Sequence, residues 1–210
     1  PPGDLRPELR TGLLKVARAG EWIVDKLDAS CETATKFVVF AHHRRVMDAL
    51  HATFTKREYS CLRLDGEVPT ADRRRWLDLF NHEAHQRVLL VSVTAGGQGL
   101  DFTAAAVAVF VELPPSAHWL RQAEDRLHRR RQRKAVNVYY LALPPGSDED
   151  QRWGEMRVSL KNVTKVMNST KRTETMHVDH VTLAGFGDGC TPSKGGRSPA
   201  WRRRRRRLTH

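Results

Sequence analysis

Short apolar runs rich in β-branched and aromatic residues alternate along this chain with longer stretches of helical periodicity, and that alternation constrains the fold most. The runs lie at residues 37–41, 61–64, 88–93, 107–111 and 136–143. Runs this short and continuous suit strands buried on both faces, as in a parallel sheet. Between them, residues 44–56, 69–80 and 117–131 read as helices; Val46, Met47, Leu50 and Phe54, for example, recur at helical intervals. Ahead of the first run, residues 7–29 form an amphipathic pattern with Leu13, Leu14, Ala17, Val24 and Leu27. Strands alternating with helices imply βαβ crossovers. The expected fold is a three-layer α/β domain with a mostly parallel central sheet and flanking helices.

Pro144, Pro145 and Gly146 break the alternation. Ser147 then caps a final helix running to about residue 167, with Asp148, Glu149 and Asp150 in the first turn, where the helix dipole favours acids. Beyond residue 183 the sequence is rich in Gly, Ser, Pro and Arg. It lacks the apolar content that offsets ordering entropy, so a disordered tail is expected.

The formal net charge of the 210 residues is +12. The run Arg202 to Arg207 supplies six of those charges, and the rest of the chain still carries +6. A basic body as well as a basic tail points to a polyanion, most simply nucleic acid. For the tail, a nuclear-import segment, a nonspecific anionic contact and a plain solubilising run all fit. Cys31, Cys61 and Cys190 form no CxxC pair and no framework, which suits a reduced compartment and gives no zinc site. No apolar stretch is long enough for a bilayer, and the start of the chain has no apolar leader segment. The absence of an initiator methionine leaves a fragment or a processed piece as the expectation.

Ligands of open α/β sheets bind at the carboxyl ends of the strands. Three segments should lie there: Asp65-Gly66, the loop from Thr94 to Asp101, and the entry to the helix that carries Gln122, Arg126 and Arg129. The loop, Thr94-Ala95-Gly96-Gly97-Gln98-Gly99-Leu100-Asp101, is neither a Walker A loop nor a dinucleotide fingerprint. It fits a tight turn, or a close approach of backbone to phosphate. Arg126 and Arg129 stand at i, i+3, so both guanidinium groups leave one helix face. They could stabilise charge in phosphoryl transfer, or belong to a solvated, DNA-touching basic helix.

Four segments, in order, carry a resemblance. KFVVFAHHRRVMDALHATF (36–54) resembles helicase motif IV of Swi/Snf-type superfamily-2 ATPases, and RLDGEVPTADRRRWLDLFN (63–81) the motif that follows it. VLLVSVTAGGQGLDFTAA (88–105) resembles motif V and QAEDRLHRRRQ (122–132) motif VI. FAHH, VELP and QAEDR, with the flanks TGLLKV and GSDEDQRW, are most similar to the HepA-related annealing-helicase branch. The chain departs from the family at Arg131, where glycine is usual, and at Pro115-Ser116-Ala117, where the family has Trp-Asn-Pro.

This resemblance implies a RecA-like helicase C-terminal lobe at residues 36–143. It would be preceded by a lead-in helix (1–35) to a missing first lobe and followed by a helical extension (144–183) and an Arg-rich tail (184–210). ATP with Mg2+ would lie between this lobe and the first one, which would carry the phosphate-cradling lysine and the Asp-Glu pair; neither motif, nor any metal ligand, is assigned to this chain. Arg126 and Arg129 would be the catalytic arginines. Gly99, Asp101 and Gln122 would complete the nucleotide side, and Thr94, Gly96, Gly97, His42 and His43 would touch DNA. The implied function is ATP-dependent translocation and strand annealing on branched DNA or single/double-strand junctions, in replication-fork remodelling and repair, in the nucleus. Nucleosome remodelling, a non-catalytic DNA-binding lobe and a gene fragment are the alternatives. The isolated chain is expected to be inactive as an ATPase.

Overall fold

A computed structural model describes residues 6–94, 100–127, 136–144, 146–166 and 176–182. The elements run α1 (Pro7–Ala29), β1 (Lys36–Ala41), α2 (Arg44–Lys56), β2 (Cys61–Leu64), α3 (Thr70–His82), β3 (Val88–Ser92), β4 (Ala105–Phe110), α4 (Ala117–Leu127), β5 (Val136–Ala142), α5 (Asp148–Val166) and β6 (Met176–Thr182). The strands form one sheet in the order β2-β3-β1-β4-β5-β6, with every pairing parallel. The α/β architecture read from the alternation is thus the one observed.

Side chains of successive strand residues go to opposite faces. Val38 and Phe40 of β1 join one apolar layer, with Leu77 and Phe80 of α3, Leu120 and Leu127 of α4, and Trp153 of α5. Phe37, Val39 and Ala41 join the other, with Ile23 and Leu27 of α1 and Met47, Leu50 and Phe54 of α2. The arrangement follows from handedness. The chain leaves β1 toward β2 with its helix on one face; it travels the other way from β2 to β3, β4 to β5 and β5 to β6 with helices on the opposite face. Right-handed crossovers require that exchange of faces whenever direction reverses.

An aromatic ladder locks the register near the carboxyl ends of the strands. Phe40 stacks on its β4 partner Phe110 at 4.6 Å, Phe110 on its β5 partner Tyr140 at 4.9 Å, and Tyr140 meets Trp153 of α5 at 4.8 Å. Such pairs contribute roughly 0.5–1.5 kcal/mol each beyond area burial. Cations close the carboxyl ends of two helices, where the last carbonyls lack partners. Arg87 donates to the carbonyls of Leu27 and Ser30, both at 3.1 Å. Lys36 donates to the carbonyls of Phe80 and of Glu83, the latter at 2.8 Å.

Ser147 caps α5 as expected: its Oγ accepts the Asp150 N–H at 3.2 Å. The extension also holds a strand that was not anticipated. β6 pairs along its whole length with β5 and makes the sheet one strand wider. Its sequence, MHVDHVT, alternates only in part, so period-2 patterning marks it weakly. The residues expected to form the disordered tail, 184–210, lie outside the described residues.

Candidate functional site

The chain leaves β1 toward one sheet edge and β4 toward the other, so the switch point of the topology lies between their carboxyl ends. A carboxylate occupies it. Glu112, two residues past β4 and nearly fully buried, accepts the backbone N–H groups of His42 at 2.8 Å and His43 at 2.9 Å through Oε2. Its Oε1 meets His43 Nδ1 at 2.7 Å. The turn that follows β1 is therefore tied to β4 by one side chain. Gly12 of α1 packs against this carboxylate so closely that a Cβ there would collide with Oε1.

His42 and His43 meet edge to face at 4.7 Å. Burial, then the neighbouring His43, lowers the pKa of His42 below the ordinary imidazole value. Its Nδ1 is buried without a hydrogen-bond partner among the described residues. Beside it a shallow cleft of about 150 Å³ is lined by His42, Arg44, Arg63, Asp65 and Ser92 among others. Arg63 there bridges Asp65 at 2.7 Å and Asp48 of α2.

Thr94 ends the described part of the β3 edge; it is exposed, and its Oγ1 meets Ser92 Oγ at 3.1 Å. The loop residues Gly96, Gly97 and Gly99 lie outside the described residues. Where the chain resumes, Asp101 Oδ1 accepts the Thr103 N–H at 3.0 Å, a local turn contact made by a residue expected on the nucleotide side. Arg126, in the last turn of α4, donates through Nη1 to the carbonyl of Leu100 at 3.3 Å. This contact joins the helix resembling motif VI to the end of the loop resembling motif V. Gln122, one turn earlier, pairs through Nε2 with His118 at 2.8 Å, and its Oε1 is buried without a partner among the described residues. Arg129, the second expected arginine, lies outside the described residues.

Asp101 lies four residues ahead of β4, its carbonyl bonded by Asn81 of α3 at 3.4 Å, and Arg126 meets Leu100 from the last turn of α4, so these two stand toward the amino edge of the sheet, whereas His42, His43 and Thr94 stand at the carboxyl edge. Three residues of that edge were not anticipated. Glu112 is one. The others are Lys15 of α1 and Glu149 of α5, which form an ion pair with side chains 0% and 3% exposed. Lys15 also donates to the carbonyl of Leu141 at 2.8 Å, and Glu149 Oε2 accepts the Leu143 N–H at 2.9 Å. Burial pulls the Lys15 pKa below its usual value against the opposing pull of Glu149. The sequence held a signal for Lys15: it stands at i−4 from Ala19 and i−8 from Ile23, on the buried stripe of α1. Among the described residues no group of three or more His, Cys, Asp or Glu could hold a metal ion.

The helicase conserved C-terminal domain family matches residues 20–131. The Caenorhabditis elegans protein described as "SWI/SNF-related matrix-associated actin-dependent regulator of chromatin subfamily A-like protein 1 homolog" is 33% identical over 182 residues, covering 87% of this chain and 26% of the relative. The human "DNA annealing helicase and endonuclease ZRANB3" is 35% identical over 136 residues, covering 65% of this chain and 12% of the relative. Among solved structures, the C-terminal part of the Fun30 ATPase domain superposes with a TM-score of 0.59 at 27% identity, over 65% of this chain and 44% of that one. The chain thus spans about a quarter or less of the length of these curated relatives.

Proposed function

The chain belongs to the helicase conserved C-terminal domain family, and from that premise we propose that it is the second lobe of an ATP-dependent DNA translocase of the annealing-helicase type. The observation that supports the reading is the contact of Arg126 with Leu100, which holds a guanidinium of the segment resembling motif VI against the segment resembling motif V. The donor set suits a nucleotide polyphosphate. Arg126 offers a delocalised cation to phosphate oxygens, and Gln122, at i−4, offers a buried Oε1 able to accept a hydroxyl or amine hydrogen. Hydrolysis would use in-line attack of water on the terminal phosphorus. Arg126 and Arg129 would offset the charge developing on the phosphoryl oxygens. Gly99 would let the backbone come close, and Asp101 would keep the turn after the loop in place.

The phosphate-cradling lysine and the acidic pair for Mg2+ would come from a separate first lobe, because these 210 residues hold no Gly-Lys-Ser/Thr and their one Asp-Glu pair, Asp148-Glu149, opens α5 with Glu149 engaged by Lys15. Thr94, Gly96, Gly97, His42 and His43 would face the DNA backbone. Two relatives bear names that include "regulator of chromatin" or "DNA annealing helicase", which supports a nuclear setting and branched or junction DNA as the preferred partner. The domain divisions at residues 35/36, 143/144 and 183/184 belong to the same reading.

A second reading is favoured by the net charge of +12 together with the missing phosphate motif: a non-catalytic lobe that binds DNA by charge. The test pairs the purified 210-residue chain with a first lobe that carries the Gly-Lys-Thr and Asp-Glu motifs. DNA-stimulated ATP hydrolysis by the pair, and by neither alone, is expected. DNA binding without hydrolysis in any pairing would favour the second reading.

A further inference from the structure

We infer that Glu112 is a positioning residue for DNA contact: its carboxylate fixes the turn at His42 and His43 and the ring of His43, and Gly12 of α1 leaves the space for it. This rests on the reading that the turn faces DNA. Three hydrogen bonds converge on one buried side chain, two from backbone N–H groups and one from an imidazole. An ionised carboxylate only accepts, so Nδ1 of His43 is the donor. The free ring nitrogen is then Nε2, on a side chain that keeps 18% of its exposure.

The geometry gives that nitrogen a particular chemistry. With Glu112 holding the proton on Nδ1, a phosphate oxygen, which only accepts, is bonded at Nε2 by a second proton taken up from solvent as DNA binds, and the ring then lies between two anions. Such a contact is charge-assisted and stronger than a neutral one. Charged and titratable groups face the pair from several elements: Arg44, paired with Glu67, and Arg63, paired with Asp65, line the cleft beside His42. His42 stands beside the ring, Arg6 and Glu8 approach His42 from the start of α1, and Lys15 lies behind Glu112. A turn held only for folding would need the two backbone bonds; the third bond, to the imidazole, serves the ring.

Gly12 supplies an independent handle. Alanine is intrinsically the better helix former, so Gly12→Ala does not weaken α1 as a helix. It places a methyl group in the space of Glu112 Oε1 and of the Val46 side chain, and so displaces the carboxylate while leaving His42 and His43 themselves unsubstituted.

The experiment measures binding of the full 210-residue chain to a labelled forked duplex by anisotropy across a salt series, with thermal melting in parallel. The variants are His43→Ala, Glu112→Gln, Gly12→Ala and the His43→Ala/Glu112→Gln double, with His42→Ala as a test of the turn itself. Each single variant that melts cooperatively is expected to bind on the order of tenfold more weakly. For His43→Ala and Glu112→Gln the slope of log affinity against log salt should also fall by about one ion. The double variant should lose little more than His43→Ala. Nitrogen-15 NMR of the His43 ring should show the proton on Nδ1 in the native chain and a shift toward Nε2 in Glu112→Gln, since the amide must donate to Nδ1 while its oxygen serves the backbone. A folded Glu112→Gln that keeps native affinity and slope, while His43→Ala loses both, overturns the role of Glu112. Native binding by both His43→Ala and His42→Ala would instead remove the DNA-facing reading of the turn, and the inference with it.

Discussion

Lys15 and Glu149 stand 134 residues apart in sequence and share a buried ion pair that joins α1 to α5 across the carboxyl end of β5. Each partner has a further bond, to the Leu141 carbonyl and the Leu143 N–H. Removing one charge strands the other in a low-dielectric site, which costs about 3–5 kcal/mol. Lys15→Met should therefore lower the unfolding free energy by that amount in denaturant titrations. Lys15→Met/Glu149→Gln keeps an acceptor for Leu143 and leaves no unpaired charge, so it should recover more than half of the loss. Equal losses in the single and double variants would show that the cost is one of packing, not of charge.

Tyr59 gives a signature at alkaline pH. Burial and its hydrogen bond to Asp28 raise the phenol from its ordinary value near 10 to about 12. Between those values the folded chain keeps a proton that the unfolded chain has released, so stability falls as pH rises through that window. Tyr59→Phe should flatten the fall between pH 10 and 12, measured as the denaturation midpoint at each pH. A native-like slope in Tyr59→Phe would assign the alkaline loss to other groups.

Phosphate contacts by Lys and Arg release counterions, so DNA affinity should drop steeply with salt and depend little on sequence. Truncation before Arg202 removes half of the formal net charge and should reduce the salt slope without abolishing binding. The readout is anisotropy with several duplexes of unrelated sequence. Affinity that stays flat between low and moderate salt would contradict the electrostatic account.

The layers and helix boundaries were legible in the sequence because one physical signal, apolar periodicity, governs both. α1 and α2 begin and end at the residues the pattern marks, and β1, β3 and β4 read as continuous apolar runs because both faces are covered. β6 escaped because its pattern slips at Asp179 and His180, and a parallel neighbour far along the chain leaves no local mark. Of the site, the residues that resemble family motifs were legible as a set. Glu112 and Glu149 were not, because a lone acid in an apolar run or a helix first turn also fits exposure. What makes them structural is a partner 70 or 134 residues away, supplied only by the topology. Lys15 was readable in principle, as a cation on the buried stripe of α1.

The most direct test of the proposed function is the DNA-stimulated turnover of a reconstituted two-lobe enzyme with Arg126→Ala in this chain, beside Arg129→Ala and Arg130→Ala. Arginine fingers contribute roughly 10³ to 10⁵ in rate. Arg126→Ala and Arg129→Ala should each lower kcat by a factor in that range while nucleotide affinity changes little, because the charge is aimed at the transition state. Arg130→Ala should weaken DNA binding and leave the chemical step nearly intact. Near-native turnover in both Arg126→Ala and Arg129→Ala, with the loss in Arg130→Ala instead, would contradict the assignment of this helix face to ATP.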